Sequence, residues 1–505
     1  VNAEYVIVQA GGKGTRLGTL TKNKPKAIVS VDNLPMIFHL MKIFRGKKFI
    51  VIGDYKIDVL EKYLEIFSPE DFFVVKAEGS GTCAGIKNAL KIVPQKKSFM
   101  LIWSDLILDE NFSLEKAGKN SVGISCGFSC RWSYKNKIFS EVPSAEFGVA
   151  GLFVFTDKEI LSDVPDSGEF VKFLSQKKID FDELKLSGAR EVGTLLSYDS
   201  CRKKNVCRPF NSVEISAEKV VKKPLDEQGR KIAQDEIGWY RKMNELNFSR
   251  IPKIFSYEPL VMERINGRNA FDPSLNLSAE QKKIVLKNYV DSLLELHAKG
   301  NCAADFFSLQ ENYYTKTMER LDRVRNLIPL AERDTISVNG RKCMNVFFHR
   351  AEFKRAAERI LYDAKFSVIH GDCTFSNSLV DENLNVIFFD PRGYFGETKI
   401  FGDEYYDFAK LYYSAVGNYD QFNAKNFDLE ISADGVKISV AKNGFGDLEE
   451  YFFSLIPDCN PEKIRLIHAV IWLSLCTYAW DDYDSICGAF YNGIFYLNEF
   501  LGGGK

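Results

Sequence analysis

Between residue 5 and about residue 200, short β-rich runs (6–8, 48–52, 72–76 and 98–103) alternate with helical patterns such as 35–44 and 82–93. This alternation admits few folds: parallel strands need crossover connections, and crossover helices cover a sheet on both faces. The first 200 residues are therefore expected to form an α/β domain with a mostly parallel mixed sheet. At 505 residues the chain exceeds what one hydrophobic core supports, so at least one more domain follows. The basic stretch 201–208 breaks the apolar pattern, and 201–207 is taken as the linker. From 208 the order changes to two short strands around a turn at Ala217-Glu218, a helix over 233–246, more strand, and long helices over 279–298, 315–330 and 353–364. A small β-rich lobe (208–267) before a larger helical lobe (268–505) predicts a bilobal α+β domain with a cleft.

Composition narrows the function classes. Lys plus Arg at 67 against Asp plus Glu at 68 leaves a net charge of -1, so no global field draws nucleic acid or anionic lipid, and phosphate binding must be local. The 11 cysteines are scattered without C-x-x-C pairs and are read as reduced core residues, which argues against zinc. The apolar run 5–9 is too short for a signal-peptide core, and no stretch reaches the ~20 apolar residues of a membrane span. A cytoplasmic protein without nucleic-acid or membrane partners is expected.

The first strand runs into Ala10-Gly11-Gly12-Lys13-Gly14-Thr15-Arg16-Leu17, and Lys24-Pro25-Lys26 follows. Glycines at a strand-to-loop junction let main-chain N–H groups approach phosphate oxygens, while Arg16 and Lys26 supply mobile positive charge. The spacing is not the G-x-G-x-x-G of dinucleotide sites. This pattern resembles the signature of sugar-phosphate and phosphocholine nucleotidyltransferases, whose α/β domain is Rossmann-like. Glu78-Gly79-Ser80-Gly81-Thr82-Cys83-Ala84 resembles that family's second nucleotide-contact loop, Trp103-Ser104-Asp105 its metal-binding aspartate, and Val149-Ala150-Gly151-Leu152-Phe153 its acceptor-side segment. Glu191-Val192-Gly193-Thr194 stands where Asp-x-Gly-Thr is usual, and Ser104 where Gly is usual. The resemblance implies that Ala10, Gly11, Gly12, Gly14, Thr15, Gly81 and Thr82 meet the nucleotide. It also implies that Asp105 and Glu191 hold Mg²⁺, Arg16 the leaving pyrophosphate and Lys26 the attacking phosphate. A phosphate monoester, with a second pKa near ~6, is already largely dianionic at neutral pH, so the chemistry needs charge neutralisation and in-line placement rather than a strong base.

In the second half, Val368-Ile369-His370-Gly371-Asp372 is an apolar strand delivering an Asp, with Asn377 five residues on. Residues 378–380, a turn at 381–385 and 386–389 read as a hairpin whose antiparallel return sets Asp390 beside Asn377. One carboxylate for an attacking hydroxyl, with a carboxamide and carboxylate for Mg²⁺, is what phosphoryl transfer requires. The segment resembles the aminoglycoside phosphotransferase and choline kinase family, which implies a protein-kinase-like fold, Asp372 as catalytic base and Asn377 and Asp390 as metal ligands. Strand alternation admits either Lys222 or Lys223 as the phosphate lysine; Lys222 is chosen, with Glu236 on the following helix as its partner. Leu260-Val261-Met262-Glu263-Arg264-Ile265 resembles the hinge that meets adenine, through Glu263 and Ile265. His370 and Asp407 are read as bracing the loop, and His297 as core. Trp472 and Trp480, near Asp481, Asp482 and Asp484, are the candidate acceptor-binding residues, since aromatic faces with carboxylates suit a cationic alcohol.

Together the resemblances imply a bifunctional enzyme. A kinase half uses ATP to phosphorylate a small alcohol (choline-like, polyol or sugar), and a transferase half couples the ester to a second NTP, CTP favoured, for surface glycan or head-group synthesis. The alternatives are a sugar kinase with an NDP-sugar pyrophosphorylase, and a fusion in which one half is a non-catalytic nucleotide-binding module.

Overall fold

The computed structural model describes residues 3–114, 119–201, 211–361 and 364–502, so the proposed linker lies, apart from Cys201, outside the described residues. The chain divides into two units: residues 1–206 together with Trp480–Asp484, and residues 207–479 together with 485–505.

The first unit is built on seven strands, β1 (Tyr5–Gln9), β2 (Lys48–Gly53), β3 (Phe72–Lys76), β4 (Phe99–Trp103), β6 (Ser121–Ser125), β7 (Val149–Phe155) and β8 (Asp182–Leu186), with the short β5 (Leu106–Ile107) and β9 (Arg190–Glu191) paired separately. The sheet order is β8-β6-β7-β4-β1-β2-β3. β1 runs parallel to β2 and β4, β2 to β3 and β6 to β8, while β7 alone is antiparallel to both its neighbours. All seven residues of β7 and five of the six in β2 are buried, as expected of strands covered on both faces. Ile7, Ile50, Ile52, Leu101, Phe153 and Phe155 share one core with Ile86 and Ala89 of the helix Ile86–Ile92. That helix starts later than the sequence pattern suggested, because the chain stays in turns through Gly85, whose φ of 78° is left-handed.

The second unit opens with four antiparallel strands, β10 (Asn211–Ile215), β11 (Lys219–Pro224), β12 (Ile254–Tyr257) and β13 (Leu260–Glu263), in the order β10-β11-β13-β12. Helix α1 (Glu227–Glu245) follows β11; Asp226 caps it by accepting the Gly229 N–H at 2.7 Å, which carries its start six residues before the one read from apolar spacing. Three further helices matter here: α2 (Ala279–His297), α3 (Lys316–Val324) and α4 (Glu404–Ala415). The lobe read as mainly helical, with one strand and hairpin around 368–389, also contains a four-stranded sheet formed by Thr335–Val338, Arg341–Met344, Phe427–Ile431 and Val436–Val440. No described helix is long and apolar enough to cross a membrane.

Candidate functional sites

In the first unit, β1 and β4 are adjacent and parallel, with Gln9 opposite Trp103. The glycine loop leaving β1 and Asp105 leaving β4 therefore emerge side by side at the carboxyl ends of the strands, where open α/β sheets bind ligands. The antiparallel pair β5–β9 sets Glu191 opposite Leu106, and the Val192 N–H donates to the Asp105 carbonyl at 2.9 Å, which delivers Glu191 to the same place. Lys26 Nζ forms an ion pair with Asp105 Oδ2. A Cβ placed on Gly193 would lie 2.5 Å from Glu191 Oε1 and 3.5 Å from Arg16 Nη2, so Arg16 borders the group from the glycine-loop side. Burial pushes the Glu191 carboxyl above the ordinary range and Asp105 adds to this, with Lys26 and Arg16 pulling the other way. Burial, then Glu191 and Asp105, push the neighbouring Cys130 thiol up to about 12.

The structure thus brings together Arg16, Lys26, Asp105 and Glu191, with Gly12, Thr15 and Arg16 exposed and Ala10 buried at the strand end. Gly81 and Thr82 lie on a loop fixed to two elements. Gln9 Nε2 donates to the Thr82 carbonyl at 2.7 Å, and the Phe170 N–H donates to Thr82 Oγ1 at 2.8 Å. A side chain at Gly81 would strike the Gly168 carbonyl oxygen at 2.4 Å. Lys24 of the Lys-Pro-Lys motif is buried and paired with Asp482 at 2.6 Å and Asp484 at 2.5 Å, so the motif's first lysine is structural and its last faces the carboxylates.

In the second unit the hairpin of β14 (Ser378–Val380) and β15 (Val386–Phe388) pairs Ser378 with Phe388, and the Phe389 N–H donates to the Asn377 carbonyl at 3.0 Å. Asp390 follows directly. Asn377 Nδ2 donates to Asp372 Oδ2 at 2.9 Å, and Lys410 Nζ meets Asp372 Oδ1 at 2.9 Å. Lys222 reaches from β11 to Glu236 Oε2 at 2.7 Å and Asp390 Oδ1 at 2.5 Å, whereas Lys223 turns to Glu214 on the exposed side. Burial alone would lower Lys222, but Asp390 and Glu236 hold it above the usual lysine range. Burial, opposed by Lys222 and reinforced by Asp390, pushes the Glu236 carboxyl up to about 7. Lys222 is the cation of this group, shared by two carboxylates.

The loop carrying Asp372 is tied from behind. Asp407 accepts the His370 N–H at 2.8 Å and the Gly371 N–H at 2.7 Å, His297 Nε2 lies 3.2 Å from the same carboxylate, and the Asp372 N–H donates to His370 Nδ1 at 3.2 Å. Trp239 of α1 donates to the Ile369 carbonyl at 2.8 Å. Glu263 ends β13 with its N–H bonded to the Lys253 carbonyl at 2.8 Å, and half-buried Ile265 follows.

The acceptor-binding reading of Trp472 and Trp480 is corrected. Trp472 is fully buried, 4.8 Å from the Tyr413 ring and 4.9 Å from Phe422, and its N–H is committed to His468 Nε2 at 2.8 Å. Trp480 belongs to the first unit, where its ring packs 6.2 Å from Phe38 and 6.3 Å from Phe67. Asp482 and Asp484 are occupied by Lys24. One neighbour of Asp372 escaped the sequence reading, Lys410; its signal was its place one helical turn after Asp407, on the face that meets the Asp372 loop.

Among the described residues no three His, Cys, Asp or Glu side chains gather as a metal cage. Mg²⁺ usually takes one or two carboxylates together with substrate phosphates, so the Asp105–Glu191 pair and the Asn377–Asp390 pair suit it as donor sets. The raised Glu191 carboxyl records crowding that a divalent cation would relieve.

Comparison with known proteins bears on the first unit. Residues 5–125 match the family model described as nucleotidyl transferase. Proteins named mannose-1-phosphate guanyltransferase are similar over 114 residues: that of Aspergillus oryzae is 35% identical and that of Aspergillus fumigatus 37%, each match covering 21% of this chain. The chain spans only 31% of the length of these relatives. A solved structure, the inositol-1-phosphate CTP transferase from T. maritima, aligns with 41% of this chain and 99% of its own at 17% identity and a TM-score of 0.35. The N-terminal unit carries a nucleotidyl transferase domain.

Proposed function

We propose that the chain is a bifunctional enzyme in which the second unit phosphorylates a small hydroxyl compound with ATP and the first couples the resulting phosphate ester to a nucleoside triphosphate, releasing pyrophosphate. The observation that carries the transferase half is the meeting of Arg16 and Lys26 with Asp105 and Glu191 beside the glycine loop. Two anions must approach each other there. Lys26 holds the attacking phosphate in line, Arg16 neutralises the departing pyrophosphate, and the N–H groups around Gly11 and Gly12 orient the triphosphate. Mg²⁺ held by Asp105 and Glu191 would supply Lewis-acid polarisation of the phosphate under attack.

The kinase half rests on the convergence of Asp372, Asn377, Asp390 and Lys222. Asp372 orients the acceptor hydroxyl and takes its proton, and Lys222, steadied by Glu236, holds ATP phosphates. Asn377 and Asp390 would hold the Mg²⁺ that neutralises charge on the transferring phosphoryl group. Glu263 and Ile265 present backbone groups to adenine.

CTP is the second nucleotide favoured by the family resemblance. A second reading, GTP with a sugar phosphate, draws on the 35% identity to proteins named mannose-1-phosphate guanyltransferase. Mass spectrometry of products from the full chain, supplied with ATP, each NTP and a panel of sugars and alcohols, tests both. A nucleotide-diphospho product that requires ATP, and that a pre-phosphorylated acceptor makes without ATP, is the expected result. Product formation that never depends on ATP would remove the kinase half.

A further inference from the structure

A chain of cations and tyrosine rings extends from the Asp372 loop within the second unit. Lys410 Nζ, paired with Asp372, lies 5.9 Å from the Tyr406 ring centroid. Arg392 donates to the Tyr406 hydroxyl at 3.0 Å and to Asn312 Oδ1 at 3.3 Å, and its guanidinium lies 4.5 Å from the Tyr394 ring. Its Cβ would lie 2.9 Å from a Cβ on Gly371, so it packs directly against the residue preceding Asp372. Lys316 faces the same Tyr394 ring from α3 at 5.7 Å. One turn on, Arg320 lies 4.3 Å from the Tyr478 ring and donates to Ser474 Oγ at 2.5 Å.

Lys316, Arg320 and Arg392 are each half-buried, and none has a carboxylate within ion-pair distance among the described residues. Glu311 is the carboxylate whose field reaches Lys316, and it is exposed. Three partly desolvated cations held by neutral groups are costly unless an anion joins them. Burial, then Arg392 and Arg320, lower the Lys316 ammonium to about 7, which is the mark of that repulsion. Arg392 and Arg320 are both fixed by hydrogen bonds to neutral partners, so their guanidinium forks are held in place for planar or tetrahedral oxyanions.

We infer that the acceptor of the phosphotransferase unit is a hydroxyl compound bearing its own anionic group, a phosphate or carboxylate, which Lys316, Arg320 and Arg392 bind while Asp372 engages the hydroxyl. This deepens the kinase reading and rests on it for the identity of the reaction. A cationic alcohol would meet three like charges there.

Two measurements on the full chain separate the inference from the reading beneath it. Acetylation of Lys316 by acetic anhydride near pH 7.5, followed by mass spectrometry, reports anion binding whether or not ATP is consumed. At matched ionic strength, inorganic phosphate in place of chloride is expected to slow Lys316 labelling about fivefold or more, and Arg320→Gln with Arg392→Gln should erase the protection. Equal labelling in phosphate and chloride overturns the anion site. Acceptor pairs then test its use: glucose against glucose 6-phosphate and glucuronate, and glycerol against glycerol phosphate and glycerate, with choline alongside. A kcat/KM for ATP consumption about 100-fold higher for an anionic member is expected, with KM for that member rising at least tenfold in Arg320→Gln. Preference for the neutral member or choline overturns the inference. If no acceptor drives ATP consumption the kinase reading fails, while Lys316 protection still decides the anion site.

Discussion

In the first unit Lys26 and Arg16 stand against Asp105 and Glu191, two positive groups for two negative; in the second, Lys222 and Lys410 stand against Glu236, Asp390 and Asp372, which leaves a negative surplus. The first group opens to solvent through an exposed glycine loop, whereas the Asp372 loop is tied by Asp407, His370 and Trp239. The difference teaches what each centre leaves to its ligands. A balanced, open site supplies cations to two phosphates that approach each other. A braced site with surplus carboxylate suits a divalent cation, and further cations, Lys316, Arg320 and Arg392, follow from the Gly371 side of the Asp372 loop.

Four measurements would break or sharpen that comparison. If Asp372 is the proton acceptor, Asp372→Asn is expected to lower acceptor-dependent ATP consumption about 10³-fold, read by a coupled assay, while NTP-dependent pyrophosphate release from a preformed phosphate ester stays within about twofold of wild type. A matching loss of both activities would show that the two groups do not act separately. Asp105→Ala should do the converse, lowering pyrophosphate release about 10²-fold with ATP consumption kept. The raised Glu191 carboxyl sets a pH dependence for the first unit. At subsaturating Mg²⁺, where proton and metal compete for Glu191, pyrophosphate release should fall on acidification at a higher pH than an ordinary glutamate would give; saturating Mg²⁺ should shift that limb down, and Glu191→Gln should be slow and lack it. The smallest effect concerns stability. The Lys316 ammonium is lowered to about 7 in the folded chain against about 10.4 unfolded, so the unfolded state binds more protons between these values and stability rises with pH across that window. Lys316→Met should therefore melt about 2 °C higher than wild type at pH 6 to 7, the gap closing towards pH 10.

Much of this was legible in the sequence, and the parts that were not have separate causes. The strands around Ile7, Ile50 and Leu101 were readable because residues buried on both faces form continuous apolar runs. The hairpin that carries Asn377 to Asp390 was readable because its turn is local: Asp381 Oδ1 accepts the N–H groups of Asn383 and Asn385 at 2.9 and 2.8 Å. Glu191 was placed by motif alone, since the two-residue pairing with β5 that positions it is too short to leave a periodic trace. The sheet joining Val338 to Val436 went unread although two of its three pairings are local hairpins, Thr335–Val338 with Arg341–Met344 across Asn339-Gly340 and Phe427–Ile431 with Val436–Val440; those turns were the overlooked signal, and only the Val338–Val436 pairing spans about a hundred residues. Trp472 and Trp480 looked alike as aromatic residues eight positions apart, yet one fills a core and the other packs in a different unit, an outcome decided by tertiary placement.

That the first unit is assembled from two stretches of chain bears on any attempt to dissect the gene. A fragment ending at residue 206 would hold every motif residue from Ala10 to Glu191, yet lack Asp482 and Asp484 for buried Lys24 and the Trp480 carbonyl that accepts the Tyr63 hydroxyl. Orphaning a buried charge costs about 3–5 kcal/mol, a large share of a domain's margin. An inactive fragment would then report a missing clasp rather than a missing catalyst, and a usable expression boundary has to restore the five residues from Trp480 to Asp484.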